Sequence, residues 1–315
     1  MIAPPRNDYQ LAEKQQAVTC GGIATIMELI KQVDLRKQIN QAAPVFKLHA
    51  PYDETDHVFN IALNLLAGGT CLEHLETRRN DEAYLDALGA VRIPDPTTAG
   101  DFCRRFDELK LLKLMQGINR SRQIVWKQQG KAFLKQATIE ADGSMVETYG
   151  EKKQGIGINY KGQWGYHPLV VTLAETQEVL YLANRSGNRP SHENSAFYFD
   201  LAIDACRQAG FEKILLRGDT DFSLTENFDR WSDDGVEFVF GFDASPTMKA
   251  IADSLEKTAW KSYDDRGDHQ PNGGQSGRTT KNRSSSRTAT RITSCAANST
   301  QSLTISPPGA PAPTA

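Results

Sequence analysis

The sequence predicts an α/β core, residues 137–260, set between an all-helical N-terminal region, residues 1–136, and a disordered C-terminal tail, residues 261–315. Three observations carry that expectation. Apolar residues recur at helical spacing up to about residue 135 and with a period of two after Ala137. Beyond Ala137 the elements run a meander of strands, then helix, strand, helix, strand, and strands joined by crossover helices pair in parallel. From about Ser262 the composition turns to Ser, Thr, Gly, Pro and Arg with Tyr263 its only aromatic, too little apolar area to offset the entropy of ordering.

Ile26, Leu29, Ile30 and Val33 predict a helix over residues 23 to about 40, and Val58, Ile61, Ala62, Leu65 and Leu66 one over 57–67 that Gly68 and Gly69 stop. Short helices are expected at 71–78 and 81–88, and Pro94 and Pro96 precede a helix start at Thr97 or Thr98. The stretch PTTAGDFCRRF there reads either as the opening of a recognition helix, with Arg104 and Arg105 meeting phosphates, or as packing against the core. Leu111, Leu114, Met115 and Ile118 make the last apolar stripe. Strands are expected at 138–142, 155–160, 166–173 and 179–183, then a helix from about Ser191 to Ala209 with Gly210 as its left-handed cap. KILLRG is a strand, SLTENFDRW a short helix, and VEFVFGF the last strand.

A chain of 315 residues with 39% hydrophobic content can fill a real core, which excludes disorder throughout. Its five cysteines include no Cys-x-x-Cys pair and its six histidines sit singly, arguing for reduced thiols and against a structural zinc or disulfide framework. The start MIAPPRNDYQ lacks the order of a signal peptide, and no apolar run approaches the roughly 20 residues that span a bilayer, so a cytoplasmic protein without a membrane partner is expected. The formal charge of -3 is unevenly divided. Residues 104–135, with Arg104, Arg105, Arg120, Arg122 and Lys127 among them, hold nine basic side chains against Asp107 and Glu108, while residues 138–260 hold eleven basic and twenty acidic ones. The basic stretch is either a surface for a polyanion such as DNA or a solvated helix face.

Two strands end on a carboxylate, Asp142 in TIEADGS and Asp219 in ILLRGDTDF. In an open α/β sheet, the strand ends from which crossover loops leave are where ligands bind. Two carboxylates brought together repel unless a cation neutralises them, and an aspartate pair without histidine or cysteine suits Mg²⁺, with Mn²⁺ as substitute. That pairing serves phosphoryl transfer. The local alternative is a turn in which each aspartate accepts a nearby amide. Asp221 reads as a supporting partner of the site or as the cap of a helix from Ser223. His167 in GYHPLVV reads as a hydrogen-bonded buried imidazole, and Trp164 and Trp231 as packing residues. In RPSHEN, Ser191 can cap a helix whose first amides face an anion, giving Arg189, His192 and Asn194 a role in holding phosphate or orienting the site.

In combination, IEADGS, GYHPLVV, GNRPSHENSAFYF and FEKILLRGDTDF resemble the successive blocks of the group 1 DDE transposases of bacterial insertion sequences, over roughly residues 20–260. The resemblance implies an RNase H-like catalytic core with Asp142 and Asp219 as metal-binding catalytic residues. It also implies Mg²⁺-dependent DNA cleavage and strand transfer, and double-stranded DNA, as terminal inverted repeats and target, for partner. It leaves room for a homodimer and places the protein with the bacterial nucleoid. The family's third ligand is a glutamate on a later helix, with a tyrosine and an arginine before it and a lysine after it. No glutamate follows Glu256 here. The expectation is therefore a reading frame that departs near Lys261, with the rival account a true disordered tail, and with Asp221 or Glu256 as candidate substitutes for the missing ligand. A noncatalytic DNA-binding remnant and a nuclease of RNase H type are the alternative functions.

Overall fold

The computed structural model describes residues 20–47, 51–150 and 152–256, so the expected tail lies outside the described residues. In the N-terminal part the helices are α1 (Ile23–Gln32), α2 (Leu35–Ala42), α3 (Glu54–Leu66), α4 (Leu75–Arg79), α5 (Glu82–Leu88), α6 (Pro96–Cys103) and the 20-residue α7 (Glu108–Lys127). Their starts follow from capping. Asp53 and Asp56 form a capping box on α3, and Asp81, Asp95 and Asp107 each accept an amide of the first turn of α5, α6 and α7. The single helix expected over 23–40 is two, because Asp34 takes a left-handed conformation (φ 56°) and turns the chain between them.

Among the described residues the strands are β1 (Gln136–Gly143), β2 (Val146–Glu147), β3 (Gly157–Ile158), β4 (Trp164–Tyr166), β5 (Leu169–Leu173), β6 (Glu178–Ala183), β7 (Lys213–Gly218) and β8 (Glu237–Phe240). Helices α8 (Ser195–Ala209) and α9 (Phe228–Asp233) form the crossovers into and out of β7. The main sheet has the order β6-β5-β1-β7-β8. β5 runs antiparallel to both β1 and β6, whereas β1, β7 and β8 are parallel, as crossover helices require. A small second sheet, β2-β4-β3, stands apart. The continuous strand expected at 166–173 is therefore divided between two sheets. Pro168 has no amide to donate and the His167 amide goes to Arg185 O (2.8 Å), so the ladder breaks between β4 and β5. The expected strand at 155–160 shrinks to β3 for a related reason, since Asn159 turns the chain by accepting the amides of Lys161 and Gln163.

Alternation along β1 decides which face is core. Ala137, Ile139 and Ala141 are buried with Ile214 and Leu216 of β7 and with Phe199, Ala202, Ile203 and Cys206 of α8. Trp126 and Met115 of α7 join this cluster, whereas Leu114 and Ile118 pack with Ile23, Ile39, Phe59, Leu63, Tyr84 and Ile93 of the helical part. One helix thus stitches both cores together, and the described residues up to Phe242 form one compact unit. Helix α10 (Pro246–Ser254) and Glu256 after it belong to a second unit. Trp231 is buried and donates to Asp200 Oδ1 (2.9 Å), while Trp164 is half exposed on β4. Cys71, Cys103 and Cys206 are free thiols. No helix among the described residues is long and apolar enough to cross a membrane.

Candidate functional site

The pairing of β1 with β7 fixes how the two strand-end aspartates stand. Gln136 is level with Lys213 and Glu140 with Arg217, a constant offset of 77 positions that, continued two residues past the last paired rung, would bring Asp142 level with Asp219. The chain stays extended through Asp219 (φ -76°, ψ -168°), so alternation puts Asp219 on the face of Arg217, as it puts Asp142 on the face of Glu140. Arg217 Nε donates to Glu140 Oε1 (2.5 Å), which makes the rung below the aspartates a neutral pair. Both aspartates are exposed, and among the described residues neither is paired with a cation.

The local-turn alternative holds for one of them. Asp219 Oδ1 accepts the Asp221 amide at 3.0 Å and caps the 3-10 turn Thr220–Phe222. The equivalent amide after Asp142, that of Ser144, bonds instead to Pro168 O (3.2 Å). No turn of this kind therefore accounts for Asp142. Asp221 lies inside the Asp219-capped turn and does not cap a helix from Ser223, because α9 begins only at Phe228.

Beside these strand ends opens a cleft of about 530 Å³ lined by Gly143, His167, Arg189, Ser191 and Asp221. His167 is wedged over Gly143: a Cβ built there would lie 2.7 Å from the imidazole Cε1 and 3.1 Å from Nε2. Its Nδ1 is buried without a hydrogen-bond partner, so the fully hydrogen-bonded imidazole expected from the sequence is not what stands here. The backbone of His167 is held from both sides by Arg185, through His167 N to Arg185 O and Arg185 Nε to His167 O (3.0 Å). The other end of the same guanidinium, Nη1, donates to the carbonyls of Pro190, Ser191 and Glu193. Those bonds hold residues 190–193 as a turn, and Asn194 is left-handed, so α8 starts at Ser195 and Ser191 caps nothing. Behind the cleft, Gly157, Gly165 and Gly187 meet backbone to backbone: a Cβ on Gly187 would lie 2.6 Å from Gly157 O and 2.7 Å from Gly165 O. Sequence reasoning missed Arg185 and this glycine contact, and the one signal for them was a set of single glycines scattered through weak strands.

The basic residues are dispersed. Arg104 is the C-cap of α6 and pairs with Asp101 (2.6 Å), and Arg105 lies over the Phe46 ring. Both stand at or just past the C-terminal end of α6, which begins at Pro96, next to the expected start. Arg120 is exposed and donates to Gln38 Oε1, and Lys127 is exposed at the end of α7. Arg122 turns inward: it bonds Glu178 Oε1 (2.9 Å), Val179 O (3.0 Å) and Asn119 Oδ1, pinning α7 to β6. Arg189 is exposed and pairs with Glu193 (3.1 Å), and His192 is exposed with its carbonyl receiving the Ser195 amide.

Asp142 and Asp219 offer oxygen donors alone, on adjacent parallel strands whose spacing is about 4.8 Å. That set fits a hard divalent ion which keeps most of its water. No group of three His, Cys, Asp or Glu residues placed to hold a metal occurs among the described residues. The family described as transposase DDE domain, group 1, matches residues 13–295. Its match thus runs past residue 260, where the resemblance was expected to stop. No curated protein matches the chain. Among solved structures the chain is similar to a piggyBac transposase in a synaptic complex with hairpin DNA, at 11% identity and a TM-score of 0.30, over 79% of this chain and 48% of that one.

Proposed function

Because the chain belongs to the group 1 DDE transposase domain family, we propose that it acts on DNA as the transposase of a bacterial insertion sequence, with Asp142 and Asp219 holding Mg²⁺ at the end of an RNase H-like sheet. What supports this reading is the offset of 77 positions shared by the paired residues of β1 and β7, which, continued past Glu140 and Arg217, would put the two carboxylates level on one face. When bound, the metal would supply charge neutralisation and an activated oxygen nucleophile for phosphodiester cleavage and strand transfer. The chain's own residues do the rest. The Asp221 amide orients the Asp219 carboxylate, His167 and Ser191 shape the cleft floor over Gly143, and Arg189 meets the scissile strand's phosphate at the rim. Exposed Arg104, Arg105, Arg120 and Lys127 add salt-dependent contacts to duplex DNA. Arg122 stays out of that surface, since its guanidinium is spent on β6.

On this reading the helical part before residue 137 contacts DNA and the carboxylate-bearing sheet after it does the chemistry. The glutamate that the family supplies from a later helix has no counterpart after Glu256 in the sequence, and on this reading the chain binds element ends but transfers strands poorly. The test is an end-cleavage and joining reaction on the element's own terminal DNA, beside a version whose reading frame is restored after codon 261. The chain as it stands should bind the ends and join them at least roughly a hundredfold more slowly, the effect of losing about 3 kcal/mol of transition-state stabilisation. Equal turnover would show that residues 1–315 already carry a complete site.

A further inference from the structure

The hairpin that joins β3 to β4 carries its tip to the cleft, where Asn159, Tyr160, Lys161 and Gln163 line the same space as His167 and Asp221. Tyr160 is 92% exposed, more than any other tyrosine, tryptophan or phenylalanine among the described residues. Lys161 is exposed as well, with its ammonium 5.4 Å from the centre of the Tyr160 ring. The turn that presents this pair is tightly built. The Asn159 side chain accepts the amides of Lys161 and Gln163 (2.9 and 3.0 Å) and donates to Gln163 Oε1 (2.8 Å). The backbone closes the turn again, from Asn159 N to Gln163 O and from Gly162 N to Asn159 O, both at 3.0 Å, and Gly162 takes the left-handed conformation (φ 79°) that the turn requires. Gln163 Nε2 also bonds Glu147 Oε1 on β2. Below the tip the hairpin is fastened to the body of the domain, because Gly187 N donates to Gly165 O (3.0 Å) and Ser186 bridges Tyr166.

The chain therefore holds one ring and one ammonium still, in water, at the edge of the cleft. Such a pair suits a nucleotide: any base offers a π-face to the ring, and the phosphate beside it is an anion for the lysine. An apolar protein surface would ask for a contiguous patch, whereas this ring is flanked by Asn159, Lys161 and Gln163. Charge agrees with that choice. Arg189 on the cleft wall is held by Glu193 (3.1 Å), but Lys161 has no carboxylate partner among the described residues and is free to meet a phosphate. We propose that Tyr160 and Lys161 form a base-stacking tip, in which the ring stacks on an unpaired base of the strand in the cleft and the ammonium meets the adjoining phosphate. Bases within a duplex already stack on one another, so the tip favours DNA with unpaired nucleotides over fully paired DNA. The proposal rests on the DNA-transposase reading for its polymer and on the hairpin for this preference. Preorganisation adds to it, because the turn leaves little of the tip to be ordered on binding.

The experiment uses the full chain in Ca²⁺, a hard cation able to neutralise the strand-end carboxylates. Fluorescence anisotropy compares a blunt duplex with the same duplex carrying a short single-stranded extension of either polarity, and 2-aminopurine in the extension reports stacking. The wild type should bind an extended duplex about tenfold more tightly than the blunt one and quench the 2-aminopurine. Tyr160→Ala should lose both effects while keeping its melting temperature and its affinity for the blunt duplex, and Tyr160→Trp should restore both. Lys161→Gln should lower the salt slope on the extended duplex by roughly 0.7, the signature of one lost single-strand phosphate contact. A Tyr160→Ala variant that weakens both duplexes equally, or neither, would overturn the stacking tip and leave the DNA reading intact. Absence of binding to every duplex by the wild type would overturn the DNA reading and the tip with it. An unchanged slope in Lys161→Gln would refute the lysine's contact with phosphate.

Discussion

Replacing Gly143 by alanine tests how tightly the cleft floor is built. A Cβ at that position would meet His167 Cε1 at 2.7 Å, Nε2 at 3.1 Å and Ser191 Cβ at 3.3 Å. Carbon atoms at rest stand about 3.5–4.0 Å apart, so the imidazole has to retreat by most of an ångström. It has little freedom to do so, because the His167 backbone is bonded to Arg185 at both N and O, and Arg185 also fixes the turn that carries Ser191. Overpacking of this kind costs about 1–3 kcal/mol. Urea denaturation of Gly143→Ala should show a loss in that range with an unchanged slope. The mechanism predicts more than the loss: combined with His167→Ala, which removes the obstructing ring, the alanine should cost almost nothing further. The double-mutant cycle should therefore return a coupling of about 1 kcal/mol or more. Additive losses in the two single variants and the double would refute the wedge of His167 on Gly143, whatever their size.

Arg122→Ala should destabilise the fold by about 1–3 kcal/mol by freeing α7 from Glu178 and Val179 O, and should leave duplex affinity unchanged when measured where both proteins are folded; a purely DNA-facing arginine would give the opposite pair of results. His57 is buried and stacked on Phe102 (4.6 Å between ring centres), and burial holds its pKa below the ordinary 6.5. Below 6.5 the unfolded chain takes up a proton that the folded chain refuses, so the stability contributed by neutral His57 is complete above that pH and is lost as pH falls from 6.5 toward the folded value. His57→Phe should flatten that part of the curve of urea midpoint against pH, and an unaltered slope would show that other groups set it.

The parts of the fold legible in the sequence were those whose reasons are local. β1 and β7 are β-branched or aliphatic runs ending in Asp-Gly or Gly-Asp, Gly210 closes α8 with a positive φ as expected, and crossover helices oblige β7 and β8 to be parallel. What escaped depends on distant partners. Aspartate is one of the few non-glycine residues that tolerate the left-handed region, but nothing in the sequence around Asp34 says that this aspartate takes it. The break between β4 and β5 needs Pro168 together with the Arg185 carbonyl, and the late start of α8 follows from the buried Arg185 guanidinium, whose bonds reach 18 residues back and eight forward. Arg122 shows the limit of charge reading: it stood in a basic run like any solvated residue, yet tertiary packing turned it onto β6. The candidate site divides the same way. Asp142 and Asp219 are visible as strand-end carboxylates, while the offset shared by β1 and β7 and the His167 wedge exist only after β1, β5 and β7 have paired.

The central claim is that Asp142 and Asp219 act as one divalent-metal site. Calorimetric titration of the chain with Mg²⁺ and Mn²⁺, beside Asp142→Asn, Asp219→Asn and the double variant, tests it directly. The account predicts one weak site in the wild type, loss of most of its affinity in either single variant, and no further loss in the double, because two ligands of one ion fail together. Affinity equal to wild type in either single variant would contradict the claim and remove that aspartate from the site.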